Sequence, residues 1–209
     1  MRIRITFSKQ GALRYTGHLD LHTLLERAAR RASLPLAYSQ GFHPTPKIQL
    51  ASALPLGFSS RAEVMDIWLT SDIEVSRLRI DLQATLPHDI QILNVEKVDD
   101  RAPALQTQLI AAEYEADIPD EYASNLTSRL AALSEAKSIL RVRRGKTYEL
   151  RPLIESLEAA PADGSEKTRL LMRLTAREGA TGRPEEVLSA LEIPPDSVRV
   201  ERTRLIFRG

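Results

Sequence analysis

The chain has 209 residues and not one cysteine. That excludes disulfides, thiolate zinc sites, cysteine-ligated iron–sulfur clusters and a cysteine nucleophile. No run of about 18 apolar residues occurs, so a membrane-spanning helix is not expected. The opening residues, Met1-Arg2-Ile3-Arg4-Ile5-Thr6-Phe7, alternate like a strand and lack the apolar block of a signal peptide. The expected compartment is the cytoplasm. Aromatic residues make up 5% of the chain, and the aromatic-rich signature of an RNA recognition motif is missing. There is also no Gly-x-x-x-x-Gly-Lys phosphate loop and no dinucleotide fingerprint, so no cofactor is expected.

What is present is an apolar share of 43%, enough for a real core, and a net charge of +1 that hides an uneven distribution. Residues 1–70 carry nine Lys and Arg against four Asp and Glu; residues 71–136 carry five against thirteen; residues 137–209 carry fifteen against eleven. Two basic ends flank an acidic middle, so any basic site must be local.

The first hundred residues read as strand, helix, strand, strand, helix, strand. Ile3, Ile5 and Phe7 alternate with Arg2, Arg4 and Thr6 over residues 2–7, the period of a half-buried strand. Leu21, Leu24, Leu25, Ala28 and Ala32 have helical spacing from His18 to Ala32, and Pro35 closes that helix. Strands at 47–52 and 62–70 follow. Asp72 is expected to cap a second helix ending near Leu86, before a last strand at 90–98. This order predicts an α+β, ferredoxin-like domain over residues 1–100, an antiparallel sheet with two helices on one face. A polar linker over 99–107 then leads to a second, degenerate ferredoxin-like domain over 108–209. Its expected elements are a strand 108–118, a helix 120–136, a strand 138–144, an irregular stretch or short helical turn 147–155, a turn 161–166, a strand 167–177, a helix 184–192 and a strand 197–208.

The most informative stretch is Gly41-Phe42-His43-Pro44-Thr45-Pro46-Lys47-Ile48. Two prolines bar it from a central strand, Gly41 permits unusual backbone, and Phe42, His43 and Lys47 offer a ring, an imidazole and an ammonium. Such a loop suits an anionic or aromatic ligand; the plainer reading is a stiff connection. His18 and His22 lie four apart on the first helix and share a face. With Asp20 and His43 they are a weak candidate metal set, although the stripe through Glu26 and Arg30 also describes a solvated helix face. A metal-free alternative makes His18 and His43 a general acid/base pair beside Lys47, as in phosphodiester cleavage. Arg14, Arg31 and Lys47 are candidate phosphate contacts, and Arg2, Arg4, Asp66 and Trp68 are what the sheet offers opposite its helices. Arg141, Arg143, Arg144 and Lys146 cluster at a turn on Gly145, while Arg199, Arg202, Arg204 and Arg208 line the last strand. Gly179-Ala180-Thr181-Gly182-Arg183 reads as a flexible turn.

Phe7-Ser8-Lys9, Leu13-Arg14-Tyr15, His18-Leu19-Asp20-Leu21, Glu26-Arg27-Ala28, Leu34 to Pro44, Pro46-Lys47-Ile48 and Leu54-Pro55-Leu56-Gly57 follow one another closely. In this the chain resembles the uncharacterised bacterial family associated with radical SAM proteins, domain of unknown function 2344. The resemblance implies a probable radical SAM protein as partner and a site at the His18-Leu19-Asp20 and Gly41-Phe42-His43-Pro44 positions. Members occur as C-terminal extensions of radical SAM proteins or as separate chains, near genes for a ribonuclease of the E/G type and ribosomal proteins, which implies RNA or a ribosomal component as a second partner. Without the three-cysteine motif this chain alone cannot perform radical SAM chemistry. The tandem plan is also similar to CRISPR repeat-processing endoribonucleases, whose terminal Gly-rich loop is missing here.

The expected function is a non-catalytic accessory module binding RNA through Arg14, Tyr15, His18, Asp20, His22, Arg31, Gln40, Phe42, His43 and Lys47. The alternatives are a small metal-independent endoribonuclease using His18, His43 and Lys47, and a protein-only adaptor docking on a radical SAM enzyme.

Overall fold

The computed structural model describes residues 1–162 and 168–208. It is mixed α+β and divides into two compact units, Met1–Gln108 and Leu109–Gly209. Among the described residues no helix is long and apolar enough to cross a membrane.

In the first unit the strands are β1 (Arg2–Lys9), β2 (Ile48–Leu50), β3 (Ser59–Trp68) and β4 (Ile90–Val98); the helices are α1 (His18–Arg31), α2 (Val75–Gln83) and the short α3 (Leu105–Gln108). Strand β1 pairs antiparallel with both β3 and β4, and β2 pairs with β3, so the order within the unit is β2-β3-β1-β4. Alternation in β1 does what its period predicts: Ile3, Ile5 and Phe7 are buried in a core with Leu21, Leu25 and Ala28 of α1 and Leu78 and Leu82 of α2. Each such side chain contributes about 1.5–3 kcal/mol by leaving water. Asp20 in the first turn of α1 and Arg30 and Arg31 in the last suit the helix dipole. The helix stops before Pro35. Ser33 takes a left-handed conformation (φ 54°), and the Leu34 and Ser33 amides donate to the Ala29 and Arg30 carbonyls, a Schellman ending.

Two expectations change here. Asp72 does not cap α2, which starts at Val75 with Glu74 in the cap position. Nor is 99–107 a free polar linker. Its carbonyls at Ala102 and Pro103 accept hydrogen bonds from the Arg2 guanidinium (2.7 and 2.9 Å), and the Leu105 amide donates to Gln49 Oε1 (2.9 Å). The segment is therefore tied to the sheet through its backbone groups, whatever its polar composition.

Those contacts cover the side of the sheet that carries Arg2, Arg4, Asp66 and Trp68. Asp66, wholly buried, accepts from Arg2 Nε (2.8 Å) and Nη2 (2.6 Å) and from Arg4 Nε (2.9 Å) and Nη2 (3.1 Å). The Arg2 guanidinium also lies 4.9 Å from the Trp68 ring centroid. The four residues form a satisfied ionic core, so they do not form an open nucleic-acid platform.

In the second unit the strands are β5 (Leu109–Ile118), β6 (Leu140–Arg143), β7 (Lys146–Glu149), β8 (Ile154–Pro161), β9 (Thr168–Arg177), the two-residue β10 (Ala180–Thr181) and β11 (Arg199–Phe207). Its helices are α4 (Asp120–Ala123), α5 (Leu126–Glu135) and α6 (Pro184–Ala190). Strand β9 pairs antiparallel with β5, β8 and β10, and β5 also with β11, so β8-β9-β5-β11 repeats the order of the first unit. The second position is filled by β8, most of which lies at 156–160 where no element was expected, while the short helical turn offered for 147–155 occurs at Arg151–Leu153. The expected strand 138–144 instead contributes β6, which forms with β7 a separate two-stranded hairpin inserted before β8. The expected helix 120–136 breaks at Asn125, whose positive φ of 58° separates α4 from α5. Of the expected turn 161–166, residues 163–166 lie outside the described residues.

The basic terminal strand is not a free cationic face. Arg202 is fully buried, and Arg199 and Arg204 stand opposite Asp117 and Glu113 of β5. The same acidic row binds β9, with Arg169 2.7 Å from Asp117 and Arg173 2.7 Å from Glu155 of β8.

Replacing Asp66 by Ala leaves two guanidinium groups facing a buried void. Urea unfolding is expected to show a loss of about 3–5 kcal/mol. Arg77→Ala, which breaks only the exposed pair with Asp81 on α2, is expected to leave the urea midpoint nearly unchanged.

Candidate functional site

The residues proposed from sequence fall in the first unit, but they do not converge on one point. Arg14 and Tyr15 form a pair of their own: Arg14 Nη2 donates to the Tyr15 hydroxyl (2.9 Å), and the guanidinium lies 4.7 Å from the ring centroid. His18, half-buried, and Asp20, exposed, sit in the first turn of α1. His22 has a structural task. Its Nε2 lies 3.3 Å from the Ile48 carbonyl of β2, which calls for the tautomer with the proton on Nε2. The Gln106 side chain likewise donates to the Leu50 carbonyl (3.1 Å). These two carbonyls point away from β3, so both side chains blunt the free edge of β2. Arg31 is also committed, donating to the Thr85 carbonyl (2.8 Å). Among the described residues no group of three His, Asp or Glu is placed to hold a metal ion, so His18, His22 and His43 do not meet as a ligand set.

The proline loop is built as a stiff projection. Tyr38 bridges to Pro46, the Ser39 amide donates to the Thr45 carbonyl (2.9 Å), and the Thr45 amide donates to Ser39 Oγ (3.0 Å). Closing the base this way pushes Gln40, Gly41, Phe42, His43 and Pro44 into solvent, and Phe42 is 103% exposed. Beside the base lies an open cavity of about 400 Å³ lined by Ser39, Thr45, Pro46, Lys47, Ile48, Gln49 and Trp68. Of the residues proposed from sequence, Lys47 alone lines it. No Asp or Glu occurs between Glu26 and Glu63, whereas Arg27, Arg30, Arg31, Lys47 and Arg61 do. The loop therefore belongs to a carboxylate-free stretch of chain.

The second unit holds a larger cavity, about 840 Å³, that the sequence-based site did not include. Its lining is Arg143, Arg144, Lys146, Tyr148, Glu149, Leu153, Gly179, Ala180, Thr181 and Arg183. The hairpin supplies one wall. Arg144 (φ 48°) and Gly145 (φ 75°) make its two-residue turn, both in the left-handed region such turns require. Cross-strand register pairs Arg141 with Tyr148 and Arg143 with Lys146, which puts those four on one face; Leu140, Val142, Thr147 and Glu149 take the other. The 179–183 turn supplies the opposite wall and is anchored rather than flexible. The Gly182 amide donates to the Thr175 carbonyl (2.8 Å), and a Cβ at Gly182 would come within 2.7 Å of the Leu153 carbonyl oxygen. The sequence signals were available separately: a basic cluster on a Gly turn, and a second Gly turn ending in Arg183. Only their juxtaposition was hidden.

The lining of this cavity carries four cations and one acid, with the Glu185 and Glu186 carboxylates near Tyr148. Arg143, Arg144, Lys146 and Arg183 make no side-chain hydrogen bond or ion pair among the described residues. The single acid, Glu149, is engaged at the hairpin base: it accepts from Ser138 Oγ (2.6 Å) and from the Ile139 amide, which hold its carboxyl below the usual glutamate range. The Tyr148 hydroxyl is shielded from solvent with no hydrogen-bond partner among the described residues. Burial, with the Glu186 carboxylate nearby, pushes its pKa above the ordinary tyrosine value despite Arg183 and Arg143 pulling the other way. The hydroxyl thus keeps its proton and remains a donor.

A model of a known bacterial family matches residues 2–184. The chain belongs to that family, uncharacterized protein conserved in bacteria (DUF2344). The span matched to DUF2344 takes in the proline loop and every residue lining the basic cavity, and it ends before β11. No curated protein matches the chain.

A group whose pKa is lowered by folding stabilises the fold above its unfolded pKa, and that contribution disappears as pH falls through the folded value. The Glu149 contacts should therefore persist below the pH at which ordinary glutamates protonate and be lost below Glu149's own depressed pKa. A pH series of amide spectra is expected to show Ile139 and Ser138 shifting at lower pH than exposed glutamates elsewhere in the chain. Glu149→Gln should flatten that transition.

Proposed function

We propose that this chain is a non-catalytic RNA-binding module, acting in the cytoplasm as the accessory of a radical SAM protein. The observation that carries the reading is Phe42, held fully in solvent by a loop that is closed at its base and free of carboxylates. Leaving a phenyl ring in water is unfavourable, and a monomer gains nothing from a stiff projection that does so. A ring presented this way, with the Lys47 ammonium near the loop base, matches what single-stranded nucleic acid needs: a face for base stacking and a cation for phosphate. The antiparallel strand orders support reading both units as ferredoxin-like, the second with the β6–β7 insertion. The radical SAM association is supported by membership of the family and by the run of shared motifs from Phe7 to Gly57.

The proposal is tested with a 12-nucleotide oligoribonucleotide of mixed sequence and the full chain. Phe42→Ala is expected to weaken binding by about 1–3 kcal/mol, the range for one base–aromatic stack. Lys47→Ala should lower the dependence of log affinity on log salt by about 0.7, as one phosphate contact is lost. The oligonucleotide should be recovered intact after incubation. Binding unchanged by Phe42→Ala would overturn the role of the loop, and defined cleavage products from wild type would overturn the non-catalytic reading.

A further inference from the structure

We infer that the cavity between the β6–β7 hairpin and the 179–183 turn is a phosphate-binding site for a polynucleotide strand, separate from the proline loop. The claim rests on the RNA-binding reading only for the identity of the strand; the phosphate site itself stands on the cavity. Its charge is the first support. Arg143, Arg144, Lys146 and Arg183 converge with no counter-ion among the described residues, and no Asp or Glu occurs between Glu135 and Glu149. Two arginines of the same unit are by contrast paired: Arg169 with Asp117 and Glu115, Arg173 with Glu155 and Glu113. Like charges gathered without partners repel one another, and an anionic ligand removes that cost.

The second support is Tyr148. A buried hydroxyl without a partner costs free energy, and here it lines the cavity among the cations. Glu185 and Glu186 are the carboxylates near it, and neither accepts a hydrogen bond from it; Glu185 Oε2 is likewise without a partner among the described residues. A phosphate oxygen would satisfy the hydroxyl and the guanidinium groups together, since both kinds of group donate. The third support is rigidity. The hairpin face is set by cross-strand register, and Gly182 lets the opposite turn sit against Leu153, so the backbone walls of the cavity are fixed before any ligand arrives. At about 840 Å³ the space exceeds one phosphate group, which favours adjacent phosphates on a strand over a lone anion.

Two probes test this with the full chain: inorganic pyrophosphate, which carries two adjacent phosphoryl groups, and a 12-nucleotide oligouridylate. Pyrophosphate is expected to shift the amide resonances of 143–148 and 179–183, and the oligonucleotide to compete with it. Arg143→Gln with Arg183→Gln should weaken oligonucleotide binding at least about tenfold and lower the salt slope by about 1.4, two contacts at 0.7 each. Tyr148→Phe, which removes only the hydroxyl, should weaken pyrophosphate binding about tenfold with an unchanged salt slope. Unaltered thermal unfolding of the variants separates these losses from misfolding. Phe42→Ala should leave pyrophosphate binding intact, so failure of the proline loop and failure of this cavity are distinguishable. Absence of shifts with pyrophosphate would overturn the site. Shifts with pyrophosphate but no competition from the oligonucleotide, or competition only from a polyglutamate peptide, would overturn the strand as its ligand.

Discussion

The first unit is organised around one carboxylate. Asp66 sits at the middle of a sheet with no access to water, and a charge there is tolerable only if its oxygens are fully occupied. Four guanidinium hydrogen bonds from Arg2 and Arg4 do that. The arrangement has consequences on both sides. Antiparallel register sets Arg4 opposite Asp66 and Arg2 opposite Trp68, so a slip of one residue would strand three charges as well as misplace Ile3, Ile5 and Phe7. The remaining donors of Arg2 in turn recruit the Ala102 and Pro103 carbonyls, which lays the 99–106 segment over the sheet. A face that composition alone would assign to solvent is thereby removed from the binding surface.

With Asp66, Arg2 and Arg4 occupied on that face and Trp68 lining the cavity at the loop base, binding is left to that cavity and to what projects from the sheets. In the first unit this is the proline loop, where ring restraint and a hydrogen-bonded base hold Phe42 out without a hydrophobic contact to support it. In the second unit it is the β6–β7 hairpin, an insertion into the same strand order. Both projections derive their stiffness from local backbone chemistry: prolines with a Ser39–Thr45 clasp in one, a two-residue left-handed turn in the other. The proline loop lies in a stretch without carboxylates; the hairpin carries only Glu149, at its base, and its Arg143, Arg144 and Lys146 have no partners among the described residues. On β9, by contrast, Arg169 pairs with Asp117 and Glu115 of β5, and Arg173 with Glu155 of β8 and Glu113 of β5. Where arginine faces glutamate across a strand pair it serves the sheet, and where it faces open space it is available to a ligand.

Much of the first unit was legible from residue patterns. Period-two alternation in residues 2–7 and helical spacing from Leu21 to Ala32 report directly on which side of an element meets the core, and both elements formed as that periodicity requires. The second unit was less legible because Leu140-Arg141-Val142-Arg143 has the same alternation as a sheet strand although it belongs to an isolated hairpin. Alternation records that one face is apolar; it does not record whether that face finds a partner, and Leu140 and Val142 remain 63% and 69% exposed. The stretch that became β8 was obscured by Pro152 and the irregular backbone preceding it.

The candidate sites divide along the same line. The sequence by itself determined that Pro44 and Pro46 bar their segment from a central strand, and that no thiolate chemistry is possible. Only the tertiary structure decided that His22 caps a strand edge, that Arg31 is bound to the end of α2, and that Asp66 unites Arg2 and Arg4. It alone brought the Gly145 hairpin against the Gly179–Arg183 turn, two segments more than thirty residues apart in the chain. The reason is physical. Local backbone preference is a property of a few neighbouring residues, whereas the availability of a charge depends on which distant group the fold places beside it.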